Sequence, residues 1–187
     1  NYFHILRRQL LRDFRKPLIM MTPKSTLRHK SNRSPINDFI NGSTFHRVLT
    51  NKLSNLQIKK IKRLILCSGK IYFELQDHID NLKKENVHIL RIEQLYPFPY
   101  DALEDEIKKY SECEIIWCQE EPKNMGAWGF IRSRIQNVLK SIQHKQSLVP
   151  FIGRRAAASP ATGVFDRHLA NQKNILRLAI ESDMNEI

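Results

Sequence analysis

The strongest constraint on the fold is an alternation of two patterns along residues 62–182. Short apolar runs of strand-forming residues stand at Lys62-Arg63-Leu64-Ile65-Leu66-Cys67, Val87-His88-Ile89-Leu90-Arg91-Ile92, Glu114-Ile115-Ile116-Trp117-Cys118-Gln119 and Leu148-Val149-Pro150-Phe151-Ile152. Between and after them lie stretches with helical spacing of apolar residues. One runs from Ile71 to Glu85 with Leu75, Ile79 and Leu82 on its inner face. Another opens at Asp101, expected as its cap, and the remaining two cover Ala127 to Ile142 and Val164 to Ser182. Strands separated by single helices require right-handed crossovers. The expectation is therefore an α/β fold, a three-layer open, mostly parallel sheet with helices on both faces. Pro150 marks the last strand as an edge.

The third run ends abruptly in Glu120-Glu121-Pro122-Lys123-Asn124-Met125-Gly126-Ala127-Trp128. In an open α/β sheet, function collects where strands end and helices begin. Pro122 cannot donate a ladder hydrogen bond, so the strand is expected to stop before it. Asn124 is the expected N-cap of the next helix, and Gly126 permits a positive φ. Neighbouring carboxylates on a regular strand point to opposite faces, so Glu120 and Glu121 are unsuited to act as one acid–base pair. Glu120, Glu121, Asn124 and Trp128 are candidates for an interface with a partner chain.

The chain opens with a different pattern. Tyr2, Leu6, Leu10 and Phe14 recur every four residues and predict a helix over 2–14. Leu18-Ile19-Met20-Met21 reads as a buried strand, and Thr22 to Ser43 as a long polar loop. A domain boundary is expected at Gly42–Lys52, dividing 1–44 from 45–187. Residues 1–70 hold 16 lysines and arginines against 2 aspartates and glutamates, whereas residues 71–187 hold 15 against 17. All the positive excess of the net +12 charge thus lies in the first third. Such a face suits phosphate-bearing ligands or an acidic surface. Nucleic acid is not expected, because aromatics interleaved for base stacking are missing.

Four cations are candidates for an anionic effector. Lys70 follows a strand in Ser68-Gly69-Lys70, Arg154 leaves another in Gly153-Arg154-Arg155, and Lys24 and Arg28 lie in the basic loop. No Walker glycine spacing precedes Lys70. His168 near Asp166 reads as a structural histidine, and Ser159 lacks the context of a nucleophile elbow. Cys67, Cys113 and Cys118 show no C-x-x-C spacing and are read as reduced. No metal site is expected among the scattered histidines, and no apolar run is long enough to span a membrane. Asn1 opens directly into a helical pattern without an initiator methionine, which suggests a piece of a longer protein.

Five blocks, in order and spacing, carry a resemblance. They are Thr22-Pro23-Lys24-Ser25 with Leu27-Arg28-His29, Cys67-Ser68-Gly69-Lys70, Arg91-Ile92-Glu93-Gln94-Leu95-Tyr96-Pro97-Phe98-Pro99, Cys118-Gln119-Glu120-Glu121-Pro122 with Asn124 and Gly126-Ala127-Trp128, and Gly153-Arg154 with Ala158-Ser159-Pro160-Ala161-Thr162-Gly163. Together they resemble the C-terminal region of the decarboxylating first component of the 2-oxoglutarate dehydrogenase complex. The resemblance implies a transketolase C-terminal-like domain at 45–187, preceded by the tail of a pyrimidine-binding domain and a linker at 1–44. It implies a homodimeric subunit that decarboxylates 2-oxoglutarate with thiamine diphosphate and magnesium. The succinyl group then passes to lipoyl groups of the dihydrolipoyl succinyltransferase component, in the bacterial cytoplasm or the mitochondrial matrix. The cofactor-binding domains of such enzymes lie upstream and carry a Gly-Asp-Gly motif, which does not occur here. No catalytic, cofactor or metal residue is therefore expected in this chain. Its implied role is dimerisation and domain packing, with an acyl-CoA effector as a further candidate ligand. A related enzyme of 2-oxoadipate or branched-chain 2-oxo acids, or a free-standing binding module, are the alternatives.

Overall fold

The computed structural model describes residues 1–183 and divides into two compact units, Asn1–His46 and Arg47 onward. In the first, helix α1 spans Tyr2–Leu10, shorter than the 2–14 expected. It holds against the following loop through the buried His4, whose Nε2 lies 2.9 Å from the Asp38 carbonyl, and through an edge contact of Phe3 with Phe39. The Asn1 side chain bonds the His46 backbone twice, at 2.8 and 2.9 Å. Leu18–Met21 forms no strand, against expectation, and Ile19 and Met21 are 82% and 93% exposed. A strand needs a neighbour to complete its ladder, and none among the described residues pairs with this run.

The second unit is built on a five-stranded sheet. Its elements are β1 (Val48–Thr50), α2 (Asn55–Lys60), β2 (Arg63–Cys67), α3 (Ile71–Leu82), β3 (Val87–Ile92), α4 (Tyr100–Ile107), β4 (Glu114–Pro122), α5 (Trp128–Ser141), β5 (Phe151–Arg154) and α6 (Phe165–Ile180). Strand order is β1-β3-β2-β4-β5, with every pair parallel except β1 on β3. The expected mostly parallel α/β architecture is therefore present. Strand β1 falls within the expected boundary segment Gly42–Lys52, and helix α2 is an element the sequence reading did not include. Ser54 and Gln57 form a capping box that starts α2, a signature present in the sequence.

The period of two along the strands sorts the core into two layers. Leu64, Leu66, Leu90, Ile115 and Trp117 face α4 and α5 and pack with Leu103, Ile131 and Ile135. Ile65, Cys67, Ile89, Ile116 and Cys118 face the other way and pack with Leu75 and Ile79 of α3 and with Ile175 and Ala179 of α6. Buried Arg63 ties the last helix to the sheet. Its Nε donates to Glu114 at 2.5 Å, and its terminal nitrogens donate to the Ala179 and Ser182 carbonyls at 3.1 and 2.7 Å.

Several local expectations are corrected. Helix α3 ends at Leu82, which is exposed, where Lys83 turns left-handed. Asp101 sits inside the first turn of α4 and grips Arg47 through both oxygens, at 2.8 and 2.7 Å, instead of capping. His168 is exposed rather than buried. Strand β4 runs through Pro122 because β2 accompanies it only to Trp117. Beyond that point the strand has a neighbour on one side alone, so the missing N–H leaves no gap in a ladder. An irregularity in the pairing with β5 lies between Cys118 and Pro122.

Candidate functional site

The chain leaves β2 through α3 to β3 on one side, then returns through α4 to β4 on the other side of β2. The carboxyl ends of β2 and β4 are thus the switch point of this sheet, where the flanking connections diverge and leave a crevice. A cleft of about 500 Å³ opens there. Leu95, Tyr96, Trp117, Ala127 and Phe130 make its apolar lining, and Ser68, Gln119 and Glu121 its polar part.

Gln119 organises the strand end. Its Oε1 accepts from the Trp117 indole at 2.9 Å and from the Trp128 amide at 3.1 Å. Its Nε2 donates to the Met125 and Pro122 carbonyls at 2.7 and 3.2 Å. A buried amide this fully satisfied fixes the turn and caps α5. Asn124 is not the cap, since Ala127 holds that position. Gly126 has φ +65, and a Cβ there would lie 2.8 Å from Gln119 Nε2, so only glycine fits. Gly153 is similarly constrained, with its virtual Cβ 2.8 Å from the Gln119 carbonyl.

On the opposite side of β4, Glu120 binds the Lys70 ammonium, which also meets Glu74 at 3.2 Å. Burial pulls the Lys70 pKa down, but the hydrogen bonds and charges of Glu120 and Glu74 outweigh it and hold it above the usual lysine value. Arg154 Nε donates to the Glu120 carbonyl at 3.1 Å, and its other nitrogens donate to Thr162 and to the Pro160 carbonyl. Asn124 bonds the Ala157 backbone in both directions, at 3.0 and 3.1 Å. These two side chains tie down the loop after β5. Ser159 donates to the Ala161 carbonyl within that loop.

The sequence-derived candidates therefore divide. Lys70 and Arg154 converge on Glu120, one on its carboxylate and one on its carbonyl. Lys24 and Arg28 are exposed residues of the first unit. Trp128 is buried against Phe151, their rings 5.3 Å apart, while Glu121 is exposed at the cleft. Burial raises the thiol pKa of Cys67 to about 12 and of Cys113 to about 11, and pushes Cys118 well above the usual range. All three cysteines are free thiols, held neutral and poorly nucleophilic. Sequence reasoning passed over Gln119, Tyr96 and Phe130. The readable signal for Gln119 was an amide on the same face of an apolar strand as Trp117.

Residues 33–180 match the family described as 2-oxoglutarate dehydrogenase C-terminal. The chain belongs to this family. Curated 2-oxoglutarate dehydrogenase E1 components of Brucella anthropi, Brucella ovis and Brucella canis are each 50% identical to it over 188 residues. The alignment takes in 96% of this chain but spans only 19% of each relative's length. Among solved structures, a chain of a split-gene transketolase in an inactive β4 tetramer aligns with a TM-score of 0.47 and 13% identity, covering 73% of this chain and 44% of that one. In this 2-oxoglutarate dehydrogenase C-terminal chain, no group of three or more His, Cys, Asp or Glu that could hold a metal occurs among the described residues. No helix among them is long and apolar enough to cross a membrane.

Proposed function

We propose that the chain is the C-terminal region of a 2-oxoglutarate dehydrogenase E1 subunit, and that it packs domains and subunits rather than performing the chemistry. The observation that carries this reading is 50% identity over 96% of the chain to E1 components about five times as long. Residues 1–44 are then the tail of the preceding pyrimidine-binding domain, and 45–187 the transketolase C-terminal-like domain. The whole subunit works as a homodimer in the bacterial cytoplasm, or in the mitochondrial matrix if the source is eukaryotic. It decarboxylates 2-oxoglutarate and delivers a succinyl group to the lipoyl groups of the dihydrolipoyl succinyltransferase component. Thiamine diphosphate supplies the carbanion stabilisation in that reaction.

The cleft at the ends of β2 and β4 does not fit the diphosphate of that cofactor. The cleft lining offers a carboxylate and no lysine or arginine, the wrong charge for a diphosphate. No metal-ligating cluster stands among the described residues. Calorimetric titration of the chain with thiamine diphosphate and magnesium is expected to show no binding. Adding the chain to a subunit truncated before it is expected to restore decarboxylation of 2-oxoglutarate. Micromolar cofactor binding by the chain alone would overturn the assignment.

Lys24, Arg28, Lys70 and Arg154 keep the proposal of an acyl-CoA effector, with interface cations as the competing role. The ion pairs of Lys70 with Glu120 and Glu74 favour the second role for that residue. Acetyl-CoA titration of the full subunit separates the two. An effector site requires a response in the wild type that Arg28→Ala and Arg154→Ala weaken.

A further inference from the structure

We propose that the cleft at the ends of β2 and β4 binds a flat cationic group, a guanidinium or an amidinium. Three observations point to that chemistry. First, its lining is aromatic and aliphatic; Tyr96 is 81% exposed and Phe130 half-buried, while Trp117 is buried. Aromatic faces attract flat cations, and a planar guanidinium stacks on them. The molecule shows the same contact beside the cleft, where the Arg134 guanidinium carbon lies 3.7 Å from the centre of the Phe130 ring.

Second, the charge on the cleft's own lining has one sign, with the Arg134 guanidinium stacked on Phe130 beside it. Glu121 contributes a carboxylate and no lining residue is a lysine or arginine. Glu121 is exposed and forms no ion pair with any described residue, whereas Glu120 is taken by Lys70. The N-terminus of α5 carries a partial positive charge of roughly half a unit, less than the full charge of a carboxylate. An anion entering here would face that carboxylate directly.

Third, the remaining polar side chain at the strand end is spent. Both N–H groups and the carbonyl oxygen of the Gln119 amide are engaged by Trp117, Trp128, Met125 and Pro122. Glu121 is left as the charged acceptor, and a carboxylate accepts two parallel bonds from a guanidinium or an amidinium. The group belongs either to an arginine side chain of a polypeptide or to a small aromatic amidine or guanidine.

The test uses the 187-residue chain and NMR titration of the Trp117 indole and of the Gly69 and Gly126 amides. Benzamidine and N-acetylarginine amide are the probes, with neutral benzamide and anionic benzoate as controls. The expected result is saturable binding of at least one cationic probe that shifts these resonances. The controls bind about tenfold more weakly, and Glu121→Gln weakens the cationic probe about tenfold, the loss of one charge-assisted contact. Preference for the arginine amide identifies a polypeptide source, and preference for benzamidine an aromatic small molecule. Equal binding of benzamide, unchanged affinity in Glu121→Gln, or no saturable binding in the millimolar range would overturn the proposal.

Discussion

The two units hold similar kinds of apolar residue and use them in opposite ways. In the second, Leu64, Ile65, Leu66, Ile115, Ile116 and Trp117 are almost wholly excluded from water, because helices pack on both faces of β2 and β4. In the first, Leu10, Leu11, Ile19, Met21 and Leu27 are mostly exposed, and His4 is the buried residue of its helix. The difference teaches that an apolar pattern specifies a face but not its partner. A strand run becomes a strand only where neighbours complete both its ladder and its layers.

Mutations should widen the contrast. Trp117→Ala removes the largest fully buried side chain and the indole that bonds Gln119. It is expected to destabilise the second unit by about 3–5 kcal/mol in urea unfolding. A loss below ~1 kcal/mol would mean the layered core is not the source of stability.

Acid should act on the same unit through His88, whose ring is buried and stacks on Tyr110. The Thr50 hydroxyl lies 2.5 Å from His88 Nε2 and 3.1 Å from the Ile89 carbonyl. Burial lowers the imidazole pKa to about 4 from 6.5, though Glu106 opposes it. The unfolded chain therefore takes up the proton first as pH falls. The stability that neutral His88 contributes is complete above about pH 6.5 and drains away toward pH 4, by roughly 3 kcal/mol. His88→Gln is expected to flatten that part of the stability profile, and an unchanged slope would assign the pH dependence elsewhere.

A smaller effect belongs to the turn. Gly126→Ala forces a side chain onto a left-handed backbone and against Gln119. It should cost about 1–3 kcal/mol and shift the Trp128 amide resonance. At the bottom of the scale, Ile19→Ser in the first unit should leave the unfolding free energy of the second within about 0.5 kcal/mol. A larger shift would show that the exposed run is coupled to the sheet.

Much of the sheet unit was legible because each strand and helix carries its own period. The alternation of runs 62–67, 87–92, 114–119 and 148–152 with single helices is enough to require a parallel α/β sheet. What was not legible depended on distant partners. Asp101 is drawn into an ion pair by Arg47, 54 positions away, and Asn124 serves Ala157 instead of its own helix. Gln119 takes over the capping because strand burial places its amide under the turn. Leu18–Met21 misled for the converse reason, since a strand-like run says nothing about whether its neighbour is within the chain. For the site, the stretch from Gln119 to Trp128 was visible from the sequence, but the aromatic lining drew on Tyr96 and Phe130 from separate elements.

The sheet unit is expected to fold on its own, unaided by the first unit. Hydrogen exchange read by mass spectrometry, on the whole chain and on a form lacking residues 1–46, tests it most directly. The account predicts the same strong protection of β2, β3 and β4 in both, with rapid exchange over residues 11–35 of the whole chain. Loss of strand protection on truncation, or protection at Leu18–Met21 equal to that of β2, would contradict it.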